Sequence, residues 1–153
     1  MSISKRFDNA VEKLYKAFYN EELNPECCNH CAVGNICDNF DGWKHFTDVH
    51  GSSKLNYIGI VNENLGRRIN GYMPSELLQI EVAFLKGCGY SLPFAPGSRR
   101  PGNPKDMDTL FQGLCGAVAC LYELENIPDI MDCSAIFDFD PSKNNSDKQL
   151  LPN

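Results

Sequence analysis

The chain has 153 residues, 42% hydrophobic and 22% charged, which bounds it to a single soluble domain large enough to bury a core without disulfides or a metal. Its formal net charge is −6, and the basic residues are scattered apart from Arg67-Arg68 and Arg99-Arg100, so no broad cationic face exists for phosphates and nucleic acid is excluded as the primary partner. The N-terminal MSISKRFDNAVEKLY carries charges where a signal peptide needs an apolar run, and no window approaches roughly eighteen uninterrupted apolar residues. A cytoplasmic protein that does not engage a membrane is therefore expected.

Phe7, Val11, Leu14, Tyr15 and Phe18 recur at helical spacing and predict an amphipathic helix, with Asn24-Pro25 ending the pattern. A second, short helix is expected within 32–39, before the turn at Asp41-Gly42, which puts Cys31 at or near a helix N-terminus. Over 54–68, Leu55, Ile58, Val61 and Leu65 fit a helix, although the run YIGIV also suits a short strand. Pro74 is placed for a first helical turn, and SELLQIEVAFLKGCGY runs from there to a glycine stop.

Residues 91–106 hold four prolines and two glycines and predict an irregular connection. From Asp106 to Glu125 a last long helix is expected, with Met107, Leu110, Phe111, Leu114, Val118 and Leu121 on one side. Gly113, Gly116 and Cys120 form a row of small residues on the other, suited to close helix packing. A short element is expected after Pro128, and 141–153 reads as a polar, frayed tail. The sum is an all-α, compact single-domain bundle of four or five helices over 1–140, with long irregular connections.

Eight cysteines in a reducing compartment call for sorting, because clustered ones are typically metal ligands or redox groups and isolated ones small buried apolar residues. The segment NPECCNHC places Cys27, Cys28, His30 and Cys31 together, and the Cys28-x-x-Cys31 spacing lets two thiolates converge on one ion. One such pair is half a site, and no second Cys-x-x-Cys exists. Adjacent cysteines do not easily bind one ion together, so either Cys27 or Cys28 is a substitute or second-metal ligand. Cys37 is a further candidate ligand, whereas Cys115, Cys120 and Cys133 sit in apolar surroundings that read as packing. Cys88 stands between two glycines, which either permits close approach of the main chain to a bound group or marks a plain helix stop.

Glu81 projects into the middle of the apolar face of its helix, between Leu77, Phe84, Leu85 and Cys88. A carboxylate there must protonate, pair or bind a metal. Pairing with Arg67, Arg68 or a helix N-terminus is one reading, a metal ligand another, and a general base a third. Glu81 and Cys88 lie two helical turns apart, roughly 10 Å along the axis, which suits one cavity better than one chelated ion. His45 and His50 are five residues apart and share a site only through a turn; otherwise they are ordinary polar groups. Trp43, the sole tryptophan, reads as a core anchor. No phosphate-binding glycine loop, dinucleotide fingerprint or nucleophile elbow is present.

The segments NPECCNHCAVGNICDN, LNYIGIVNENLGRRINGY and ELLQIEVAFLKGCGYSLP, with ENIPDIMD, resemble a family of short bacterial proteins over most of residues 5–137. Members carry the name of the NADH-oxidising component of the sodium-translocating NADH-quinone reductase, so the resemblance implies that activity by association. The parts that component is built from, a membrane anchor, a ferredoxin-like domain and an FAD and NADH module, are not found in this sequence, and no flavin or NAD site is carried over to any residue.

These observations predict a metal-binding protein in which Cys28 and Cys31, with Cys27 and Cys88, hold zinc or an iron-sulfur cluster near Glu81. Its partner would be another protein or a small redox molecule. Two alternatives stand beside it: a thiol redox enzyme using the Cys-x-x-Cys, and a metal-free helical interaction module.

Overall fold

The computed structural model describes residues 4–126 except 40 and 95, and within them the fold is all-α. Five helices, α1 (Lys5–Tyr19), α2 (Ala32–Ile36), α3 (Tyr57–Asn64), α4 (Pro74–Cys88) and α5 (Met107–Leu124), are joined by irregular segments and one 3-10 turn at Asp41–Phe46. Among the described residues the sole β feature is an isolated bridge between Ile69 and Tyr72. The element expected after Pro128, Cys133 and the polar tail lie outside the described residues.

Helix α1 starts where Ser4 accepts a hydrogen bond from the Phe7 N–H and buries Phe7, Ala10, Leu14, Ala17 and Phe18. It stops earlier than the Asn24-Pro25 signal indicates. Asn20 caps it, Glu21 takes a left-handed φ of 58°, and the turn drops Leu23 into the core.

Helices α4 and α5 form the central pair. Their close approach depends on glycine: a Cβ on Gly116 would lie 2.6 Å from the Ala83 carbonyl oxygen, and one on Gly87 would lie 2.6 Å from that of Gln112. The row of small residues seen in the sequence is thus the packing seam, extended by Gly87 from the opposite helix. At its start, α4 has Pro74 in the first turn, and Glu76 accepts from the Met73 N–H at 2.9 Å. Gly89 closes it with a left-handed φ of 106°.

Helix α3 departs from its apolar pattern. Ile58 is 51% exposed and Leu65 60%, so half of the stripe that reads as a core face points to solvent, while Leu55 packs against the core and Val61 is half-buried. The helix instead rests on Gly59, where a Cβ would lie 2.6 Å from the Phe46 carbonyl oxygen. Glu63 then joins α3 to α4 by accepting from the Ser75 N–H and hydroxyl.

At the end of the molecule where α1 begins, Arg6 fastens four segments. Its guanidinium bonds Glu125 after α5 at 2.6 Å, Glu76 on α4 at 2.9 Å and the Gly71 carbonyl at 2.8 Å, and it stacks 4.4 Å over the Tyr72 ring.

Substituting Gly116 by Ala is expected to destabilise the fold by about 1–3 kcal/mol, because the methyl group meets backbone rather than a movable side chain. Gly102→Ala, where nothing lies within 4 Å, is the control expected to leave the thermal unfolding midpoint unchanged.

Candidate metal centre

The NPECCNHC segment folds as a compact turn. The Cys27 carbonyl accepts from both His30 N–H at 3.0 Å and Cys31 N–H at 2.8 Å, and Asn24 N–H donates to the His30 carbonyl. Cys31 becomes the N-cap of α2, its Sγ accepting from the Gly34 N–H at 3.3 Å. Three contacts hold the turn down. Asn35 donates to the His30 and Cys31 carbonyls, the Trp43 indole N–H donates to the Cys28 carbonyl at 3.0 Å, and Gly34 leaves room for the Cys28 and Asn29 backbone. Trp43 is the core anchor its uniqueness predicts, and it also fixes this turn.

Glu81 is buried as its helical position predicts, at 1% exposure. Neither Arg67 nor Arg68 reaches it; they bond Asn62 and the Gly71 carbonyl. Of the pairings expected for it, the helix N-terminus is the one it meets: its Oε1 accepts from the Val33 N–H in the first turn of α2 at 3.2 Å, which ties α2 to α4, and its Oε2 is buried with no hydrogen-bond partner. Around this oxygen a group closes that the sequence does not show as a set: Cys31, His50 and Glu81 each offer one ligand atom, and these atoms lie within 4.8 Å of one another.

His50 joins the group without His45, which lines the neighbouring cavity and lies outside the converging set. Gly51, at φ 85°, reverses the chain against the Phe94 ring, and the Phe94 N–H donates to the Gly51 carbonyl. The His50 Nε2 lies 2.7 Å from the Pro25 carbonyl oxygen and 3.9 Å from Glu81 Oε2. A carbonyl only accepts, so Nε2 is the donor there, and Nδ1 is left buried with no hydrogen-bond partner. A histidine directly before a glycine was the one local signal for this geometry.

Glu81 is oriented by Val33 and Cys31 by Gly34, as ligands of a metal commonly are, whereas His50 Nε2, the ring nitrogen 3.9 Å from Glu81 Oε2, is the one that donates to Pro25 and becomes a ligand only by giving up that bond. Burial pushes the Glu81 carboxyl up from its ordinary value of 4.5, against the pull of His50, the Cys31 thiol and the Val33 N–H. Burial, then the neighbouring Glu81, pushes the Cys31 thiol well above its ordinary value of 9.0. On the solvent side, His50 also lines a cavity of about 400 Å³ together with Cys28, Trp43, Thr47, Asp48 and Asn56.

Of the residues grouped by the sequence, Cys31 and Glu81 meet, and Cys27, Cys28 and Cys88 fall outside the converging set. Cys27 places its Sγ 3.4 Å from His30 Nδ1 on the outer face of the turn. Cys28 directs its Sγ to Asn29 Oδ1 at 3.6 Å. Cys88 packs its sulfur where a Cβ on Gly113 of α5 would sit, and burial, then Glu81, pushes its thiol up to about 12. Its flanking glycines serve different neighbours: Gly87 makes room for α5 and Gly89 ends α4. Cys37, Cys115 and Cys120 are buried, and no disulfide joins the described cysteines.

In the metal-free protein, the raised Glu81 carboxyl binds its proton more tightly folded than unfolded. Its contribution is fully present below 4.5 and is lost as pH rises through the folded value, with a limiting slope of about 1.4 kcal/mol per pH unit. Urea titrations of chelator-treated protein across this window are expected to show that fall, and Glu81→Gln is expected to flatten it.

Comparisons with protein-family models, with curated proteins and with solved structures return no match, so the chemistry of the group is argued from its own geometry.

Proposed function

We propose that the protein binds one divalent transition-metal ion, zinc by the chemistry of the donors, in a mononuclear centre of Cys31, His50 and Glu81. The observation that carries this reading is Glu81 Oε2, buried without a partner and within 4.8 Å of a thiol and an imidazole. A lone buried carboxylate is costly, and so is a lone buried cation; each offsets the other when they meet with a thiolate and a neutral imidazole. One sulfur, one nitrogen and one oxygen form a donor set that zinc accepts, and separations up to 4.8 Å need only a modest inward movement to the roughly 3.3–3.6 Å between donors on a tetrahedral ion with bonds of about 2.0–2.3 Å.

Three protein ligands leave a fourth position for water or a substrate atom, the arrangement of catalytic rather than purely structural zinc sites. His50 borders the cavity, so that position would communicate with a space suited to a small polar molecule. In such a centre Glu81 acts as a ligand, and as a base only while the metal is absent. A reducing, cytoplasmic environment suits a thiolate ligand.

An iron-sulfur cluster is the weaker reading, because clusters are held mostly by thiolates and Cys31 is the one thiol in the converging group. Thiol redox chemistry at Cys31 is weaker still. A reactive cysteine needs an exposed, low-pKa thiol, and here burial and Glu81 act in the opposite direction.

Protein purified without added metal is expected to carry one equivalent of zinc by elemental analysis and to be colourless. Glu81→Gln keeps the shape of the side chain and an acceptor for the Val33 N–H, and is expected to reduce zinc affinity by more than the roughly 10–100-fold cost of losing an outer-shell partner. Stoichiometric iron with visible charge-transfer bands would favour the cluster. Metal content unchanged in both Glu81→Gln and Cys31→Ser would overturn the centre altogether.

A further inference from the structure

The buried centre leaves unexplained the most ligand-dense part of the sequence, the outer face of the 24–31 turn. There the Cys27 Sγ lies 3.4 Å from His30 Nδ1. A tetrahedral zinc ion, with bonds of about 2.3 Å to sulfur and 2.0 Å to nitrogen, holds those two atoms roughly 3.5 Å apart. The pair thus already has the bite of two ligands on one ion. The spacing is set by the backbone, since His30 N–H donates to the Cys27 carbonyl at 3.0 Å and brings residues three apart onto one side of the turn.

Exposure separates this pair from the buried group. His30 is exposed and Cys27 half-buried, whereas Cys31 and Glu81 are closed off from solvent. The two sites are nevertheless joined directly, because the same Cys27 carbonyl accepts from the Cys31 N–H at 2.8 Å.

We propose that Cys27 and His30 form a second, surface metal site for a thiophilic divalent ion, which receives the ion from a thiol-bearing carrier and passes it to the buried centre. Only the passing-on rests on the centre proposed above; the binding itself does not. Two protein ligands leave two positions on the ion, and these keep thiolates of the carrier until they are replaced. On loading, one bond from the ion to a carrier sulfur breaks as each bond to Cys27 or His30 forms, and the Cys27 thiol proton goes to solvent; on passing-on, the bonds to Cys27, His30 and any remaining carrier sulfur break as those to Cys31, His50 and Glu81 form, the Cys31 and Glu81 protons going to solvent and Cys27 taking a proton back. The adjacent Cys28, turned toward Asn29, is not required.

Cobalt(II) alone is the probe for binding. The full chain is expected to take up two equivalents with sulfur-to-cobalt charge-transfer absorption, and Cys27→Ser and His30→Ala are each expected to lose the weaker equivalent and keep the tighter one. Both substitutions lie on the turn's outer face, and circular dichroism checks that the fold survives. A wild type whose cobalt uptake Cys27→Ser leaves unaltered overturns the surface site. A single equivalent lost in Cys27→Ser but kept in Glu81→Gln sustains the surface site and removes the buried centre.

Stopped-flow uptake of zinc from a zinc-glutathione complex tests the passing-on. Cys27→Ser is expected to slow filling of the buried centre without changing its final occupancy. An unchanged rate overturns that role.

Discussion

A carboxylate buried on the apolar face of α4 is the constraint around which this molecule is arranged. Glu81 spends one oxygen on the Val33 N–H and thereby joins α2, and with it the cysteine-bearing turn, to the central helix pair. The other oxygen is orphaned among a thiol and an imidazole. Such a group survives in a core by holding a proton or by meeting a cation, and its raised pKa describes the first of these states. The thiol and imidazole beside it are groups that could share a cation in the second. Outside this group, the buried polar orphan among the described residues is the Tyr72 hydroxyl, whose ring lies beneath the Arg6 guanidinium.

The three donors come from three different parts of the chain: the turn before α2, the loop after the 3-10 turn, and the middle of α4. Their meeting depends on contacts that are not themselves chemical. Gly34 admits the turn, Trp43 and Asn35 hold it, and Phe94 backs the Gly51 reversal that delivers His50. Tyr90 extends the support by donating to Glu26 at 2.7 Å, which links the end of α4 to the same turn. The glycine seam holds α5 close against α4, the helix that carries Glu81. A site built from loops can be precise when the loops are pinned in this way.

Much of the fold was legible. Apolar periodicity, Pro74 and the glycine stop placed α4 and α5 nearly to the residue, because period and breakers act locally. Helix α3 shows the limit of the same signal. Its stripe has the right period, but period alone does not say whether a partner covers it, and Gly59 proved the better guide to which side faces inward. Glu81 was legible for a related reason: a charge out of phase with its helix announces that something must compensate it. His50 was not, since a loop histidine is positioned by a turn whose direction depends on Phe94, more than forty residues away.

The grouping of cysteines illustrates the difference most directly. Spacing brought Cys27, Cys28, Cys31 and Cys88 together as one set, yet within a tight turn neighbouring side chains diverge, and Cys31 alone points inward while Cys27 faces His30 outside. Sequence by itself determined the all-α class, the two long central helices, the buried position of Glu81 and the concentration of soft ligands before α2. Those follow from period, caps and composition, which are properties of short stretches of chain. Tertiary structure alone decided which thiol meets Glu81, that a histidine joins the group, and that Ile58 and Leu65 of the α3 stripe stay exposed. Convergence of donors from separate segments is a matter of packing between elements, and no local pattern encodes it.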